Sequence, residues 1–85
     1  MKKYIKSNSS IEVESFLSDS VKLEYAKDLS QYNSGTYDQE GLGWLAKKYG
    51  FNLIEILDVL DKAIELDLAE CIKPGVSYQI FPWEE

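Results

Sequence analysis

Apolar positions recur along this chain with helical spacing over its middle and with strand-like runs near its end. Val21, Tyr25, Leu29 and Tyr32 fall at i, i+4, i+8 and i+11, one stripe of a helix that Ser18-Asp19-Ser20 opens. Asn33-Ser34-Gly35 supplies turn chemistry to end it. Leu42, Leu45, Ala46 and Tyr49 then repeat at i, i+3, i+4 and i+7, the inner face of a second helix. Thr36 and Gln39 match a T-x-x-Q capping box that opens this helix. Gly50 closes it.

Asn52 with Glu55 forms a looser box for a third helix, which runs to about Leu66 because no Pro or Gly interrupts it. A break near Asp67 follows. The runs Ala69-Glu70-Cys71-Ile72-Lys73 and Val76 to Phe81 are separated by Pro74-Gly75, where Pro fixes φ and Gly permits φ > 0 in a type II turn. They predict a β-hairpin. Before all this, residues 1–9 read as an extended lead. Ser10 to Leu17 fits a brief helix containing Val13 and Phe16, while the alternation Ile11-Glu12-Val13-Glu14 fits a strand equally well. The expectation is a single domain over residues 1–85. It comprises a lead at 1–18, an α+β, mostly α core at 19–81 and a tail at 82–85.

On a wheel of 100° per residue the third helix divides in two. Glu55, Asp58, Asp61 and Glu65 share one arc, with Lys62 among them. Leu53, Ile54, Ile56, Leu57, Val59, Leu60, Ala63, Ile64 and Leu66 fill the rest. That apolar arc is nearly twice the stripe of about 100° that a surface helix needs. Either the N-terminal segment or a second molecule covers the surplus. The carboxylates stand about a turn apart, of the same order as the phosphate spacing along a nucleic-acid strand. The commoner explanation is a solvated face that keeps the protein soluble; the sharper one is a mimic of duplex charge.

Composition narrows the chemistry. Eighty-five residues allow one modest core, and the 45% hydrophobic and 28% charged content is ordinary for a soluble globular chain. The chain has no His and no Arg, and Cys71 is its one cysteine. The commonest general base, the commonest metal ligand and the bidentate phosphate fork are thus missing, and no disulfide or thiolate cluster can form within the chain. Cys71 reads as a small hydrophobe in the hairpin core. Gly41-Leu42-Gly43-Trp44 has no following Lys-Ser/Thr and lies inside a helix, so it is no phosphate cradle. The expectation is a non-enzyme without cofactor or metal. MKKYIKSNSS lacks the apolar region of a signal peptide and no apolar run spans a bilayer, which predicts a cytoplasmic protein.

Net charge is −6, and its placement matters more than its size. Residues 1–50 balance seven Lys against seven acids; residues 51–85 set Lys62 and Lys73 against eight acids. The whole excess lies in the second half, where it repels nucleic acid and attracts a basic surface.

Counted from Leu42, apolar residues stand at the fourth, eighth, tenth, fifteenth and eighteenth places: Leu45, Tyr49, Phe51, Ile56 and Val59. Ala46 permits close helix approach and Gly50 a left-handed turn. This pattern, followed by a hairpin, resembles a winged helix-turn-helix domain across roughly residues 19–81. The resemblance implies three helices, a C-terminal β-hairpin wing, and a third helix entering the DNA major groove. Here the groove-facing surface would carry Asn52, Leu53, Ile54, Glu55, Asp58 and Asp61. A misplaced carboxylate near a phosphate costs on the order of 1 kcal/mol, and Lys62 alone cannot offset the acids. Direct DNA binding is therefore disfavoured.

The partner expected instead is a protein with a basic surface, met by Glu55, Asp58, Asp61, Glu65, Asp67 and Glu70. Tyr37 and Trp44 lie on a face of the second helix segment away from Leu42, Leu45 and Tyr49, and are candidate interface anchors. Trp44 otherwise packs beneath the N-terminal segment or the Phe81-Pro82-Trp83 tail. In size and charge the chain is similar to phage-encoded inhibitors, anti-CRISPR proteins among them, which implies an inhibitor or regulator of a nucleic-acid-handling protein. Two alternatives stay open. One is a dimeric transcription regulator that binds DNA through Lys2, Lys3, Lys6, Lys22, Lys27, Lys47 and Lys48. The other is a homodimeric assembly protein that uses the apolar arc of the third helix.

Overall fold

In a computed structural model, residues 17–84 are described; the expectations for residues 1–16 lie outside them. The elements are α1 (Asp19–Tyr32), β1 (Gly35–Tyr37), α2 (Gln39–Tyr49), α3 (Leu53–Glu65), β2 (Ala69–Lys73) and β3 (Ser77–Ile80). The strands form one antiparallel sheet in the order β1-β3-β2. Three helices and a three-stranded sheet make an α+β, mostly α architecture. The sequence expectation of a two-stranded hairpin is corrected by β1, which pairs Gly35 with Ile80, Thr36 with Gln79 and Tyr37 with Tyr78.

The correction has a local cause. Thr36 does not cap α2; Asp38 does, its Oδ1 accepting from the Gly41 N–H at 2.8 Å. Asp caps a helix better than Thr, and moving the cap two residues on frees Gly35–Tyr37 to pair with β3. Otherwise the open edge of β3 would need other partners for its backbone groups. A three-residue strand is too short to leave a periodic signal.

The remaining local chemistry matches the sequence expectation. The Ser18 hydroxyl accepts from the Val21 N–H at the start of α1. Gly50 takes the left-handed conformation at φ 74° between α2 and α3. Asn52 and Glu55 make a reciprocal capping box, with Glu55 N–H to Asn52 Oδ1 at 2.8 Å and Asn52 N–H to Glu55 Oε1 at 2.9 Å. In the hairpin, Gly75 has φ 72° and the Val76 N–H reaches the Lys73 carbonyl at 2.9 Å, the expected turn.

The core joins Ala26 and Leu29 of α1, Leu42, Leu45 and Ala46 of α2, and Ile56, Val59, Leu60 and Ala63 of α3 to Ala69, Tyr78 and Ile80 of the sheet. α1 is rotated from its expected face. Its buried side is Ala26, Leu29 and Ser30, continued by Asn33, and Tyr32 is 73% exposed. Small side chains at 26 and 30 let α1 approach the core closely, and the polar members are satisfied. Ser30 Oγ donates to the Phe81 carbonyl at 2.7 Å, and the Trp83 N–H to the Ser30 carbonyl at 3.1 Å, which straps the tail onto α1. Asn33 takes Lys48 Nζ on its Oδ1 at 2.8 Å and gives its amide to the Tyr49 hydroxyl. Tyr25, Tyr49 and Phe51 form a partly buried aromatic cluster beside it.

Candidate functional site

The capping box and the Gly50 turn fix where α3 begins, and burial of Ile56, Val59, Leu60 and Ala63 fixes its rotation. The outward face follows. It carries Leu53 and Ile54, 42% and 37% exposed, at the N-terminal end. Leu57 and Asp58 are half-buried in the middle, and Asp61 and Glu65 are exposed toward the C-terminal end. The helix thus presents an apolar end and an acidic end on one side.

Its charges are not equally available. Glu55 is half-buried and consumed by the capping box. Glu65 holds Lys62 at 2.9 Å, and this hydrogen bond raises the Lys62 pKa, partly opposed by desolvation. The single cation of α3 is thereby neutralised locally. Although Asp61 is exposed, partial desolvation of its carboxyl by the surrounding chain raises its pKa above the ordinary value and Asp58 adds to the rise, with Lys22 of α1 acting in the opposite sense. A further cation beside Asp61 would act in the same sense as Lys22 and favour its charged form.

The other expected site residues are dispersed. Asp67 is exposed in the turn after α3 and occupies the left-handed region at φ 61°. Glu70 is exposed on β2 and pairs with Gln79. Tyr37 is half-buried; its hydroxyl donates to the Asn33 carbonyl at 2.8 Å, and burial raises its pKa. Tyr37 is committed to its own fold. Trp44 is 56% exposed, with Lys48 Nζ 5.2 Å from its ring centroid. Cys71 is half-buried, as a small hydrophobe packed against the core.

No family model, curated protein or solved structure matches the chain. The site must be read from its own chemistry. Among the described residues, no group of three or more His, Cys, Asp or Glu is placed to hold a metal ion. No helix among them is long and apolar enough to cross a membrane. What α3 offers is an outward face that is acidic and apolar together.

Leu53, Ile54 and Leu57 lie outside the expected acidic contact set and belong to the apolar arc that the homodimeric alternative uses, an arc wider than one core can bury. Lys47 and Lys48, expected only as cations of the alternative DNA-binding surface, lie beside the Trp44 ring.

Proposed function

We propose that this chain is a winged-helix-like protein-binding module that inhibits or regulates a nucleic-acid-handling protein through the outer face of α3. The element order helix, strand, helix, helix, strand, strand and the sheet order β1-β3-β2 are compatible with a winged helix. In that arrangement α3 holds the place of a DNA-reading helix. One observation carries the reading: the outward side of this helix carries the exposed Leu53, Ile54, Asp61 and Glu65 with the half-buried Leu57 and Asp58 between them, and its lone Lys62 is bound to Glu65.

A phosphate backbone needs several cations on the contact face, since release of its counterions drives binding. This face offers the opposite charge. It suits a protein whose basic surface otherwise holds nucleic acid, so that the module competes with duplex DNA for that surface. This is the DNA-mimic form of the proposal.

The test has two arms. In the first, the protein is titrated into labelled duplex DNA at low salt, and no shift is expected; tight binding overturns the reading. In the second, the immobilised protein is used to capture partners from its native cells, beside an Asp58→Lys/Asp61→Lys variant of matched stability. Retention of a basic nucleic-acid-binding protein by the parent alone, displaced by duplex DNA, is the expected result. Equal retention by both overturns the role of α3.

A further inference from the structure

Among the described residues, two helix faces have nothing packed over them, and their chemistries are opposite. One is the outer face of α3 described above. The other is on α2. Gly43 lies within that helix, and a Cβ built there would meet nothing within 4 Å. Glycine in an exposed helix interior costs about 1 kcal/mol relative to Ala, and no contact among the described residues accounts for it. Beside it stand Trp44, more than half exposed, and the exposed Lys47 and Lys48, which line one shallow groove with the ring. A bare stretch of helix backbone next to an exposed Trp permits close approach of another element.

We propose that these faces meet between two copies of this chain. The α3 of one copy lies across Gly43 of the other, Trp44 covers Ile54 and Leu57, and Lys47 and Lys48 face Asp58, Asp61 and Glu65. A twofold axis makes the contact reciprocal, so α2 and α3 of each copy are both used and the assembly closes as a dimer. Charge complementarity names the occupant: the cationic-aromatic face fits an anionic-apolar helix, and this chain carries one. The dimer covers the α3 face, so self-association competes with the partner binding proposed above. It does not depend on that reading.

The salt response is distinctive. Two copies of net charge −6 repel at long range, a repulsion that salt screens beyond about 8 Å at physiological ionic strength. The contact pairs lie within that distance. Association therefore strengthens from low to physiological salt and weakens again at about 1 M, where the screening length falls to about 3 Å.

Sedimentation equilibrium of the full chain, from about 10 μM to about 1 mM, tests the proposal. The expected result is a reversible monomer–dimer equilibrium. K47E/K48E gives a chain with two acidic faces and D61K/E65K one with two basic faces. Each is expected to lower the association constant at least about tenfold, about 1.4 kcal/mol. Mixing the two variants restores association, which generic destabilisation cannot do. Because Lys48 also holds Asn33, Lys47→Glu alone replaces the double variant if thermal unfolding shows that the latter has lost its fold. A parent that stays monomeric at about 1 mM, or variants that associate like the parent, or a mixture that stays monomeric, overturns the proposal. Any of these leaves the capture and DNA experiments on α3 intact.

Discussion

Two glycines two residues apart in α2 answer the same substitution with opposite signs. Gly43→Ala gains the helix-propensity difference between Ala and Gly, about 0.8–1.0 kcal/mol, part of it through the unfolded chain. Among the described residues, nothing outside the adjoining helix backbone lies within 4 Å of the new methyl group, so the gain is kept. At Gly41 the methyl would sit 3.1 Å from Tyr37 Cδ1 and 3.4 Å from both Asp38 Oδ1 and Tyr37 Cβ. The Tyr37 ring cannot withdraw freely, because its hydroxyl is bonded to the Asn33 carbonyl at 2.8 Å and its backbone is paired to Tyr78. Nor can Asp38, whose carboxylate caps α2 through the Gly41 N–H itself.

Overpacking of this kind costs about 1–3 kcal/mol, which exceeds the propensity gain. Gly41→Ala is therefore expected to destabilise by about 1 kcal/mol while Gly43→Ala stabilises by about the same amount. For a domain of this size each kcal/mol moves the melting temperature by about 4–8 °C. Thermal and urea unfolding followed by circular dichroism, at a protein concentration low enough to keep the chain monomeric, read the difference. Shifts of the same sign at the two positions would refute the packing argument. A destabilising Gly43→Ala would also remove the reason for treating that position as kept bare for a contact.

Tyr49→Phe deletes a hydroxyl that donates to Asp28 Oδ2 at 2.6 Å and accepts from the buried Asn33 amide; an unfolding free energy lower by about 1–3 kcal/mol is expected from urea melts. Burial raises the pKa of Tyr37, Tyr49 and Tyr78 above their ordinary 10.0, so the folded chain keeps protons that the unfolded chain releases. Stability is then full below pH about 10 and falls as pH climbs toward the folded values, and Tyr49→Phe flattens that fall in unfolding measured against pH. Asp61→Asn removes a carboxylate whose pKa is raised by burial and by Asp58; stability withdrawn as pH rises through that raised pKa is restored, so the variant exceeds the parent at pH about 7 and matches it below the ordinary carboxylate range. Asp67→Gly relieves a non-glycine residue at φ 61° and is expected to raise the urea midpoint by the equivalent of about 1 kcal/mol.

Most of the scaffold was legible in the sequence because its signals are local. The Asn52-Glu55 box, the Gly50 turn and the Pro74-Gly75 hairpin depend on residues a few positions apart, and each forms as expected. The elements that differ depend on distant partners. β1 exists because β3, some forty residues later, has an edge to offer. The rotation of α1 toward Ala26, Ser30 and Asn33 depends on the tail, whose Phe81 carbonyl and Trp83 N–H satisfy Ser30. A hydrophobic count misses such a face because three of its four residues, Ala26, Ser30 and Asn33, are polar or small. The site was legible in the same proportion: the acidic residues of α3 declare themselves by charge, whereas the spending of Glu55 on a cap and of Tyr37 on Asn33 emerges only from geometry.

The order of residues along α3 is the one that the proposed contact favours over a merely solvated face. The positive end of a helix dipole favours carboxylates in the first turn, and the negative end disfavours them in the last, by about 0.3–1 kcal/mol each. Here the first two positions are the exposed Leu53 and Ile54, and Glu65 is the last residue, with Asp61 one turn before it. The one acid in the first turn, Glu55, is turned back into the cap. A helix needing only solubility would carry the reverse arrangement at lower cost: polar residues at 53 and 54 and cations in the final turn. Lys62 offsets part of the penalty by pairing with Glu65, but Asp58 and Asp61 still repel each other. In the proposed contact those costs are recovered, because a cationic, apolar surface is laid along the helix. Such a surface relieves the repulsion at one end and covers Leu53 and Ile54 at the other, whether it comes from a second copy or from a basic protein.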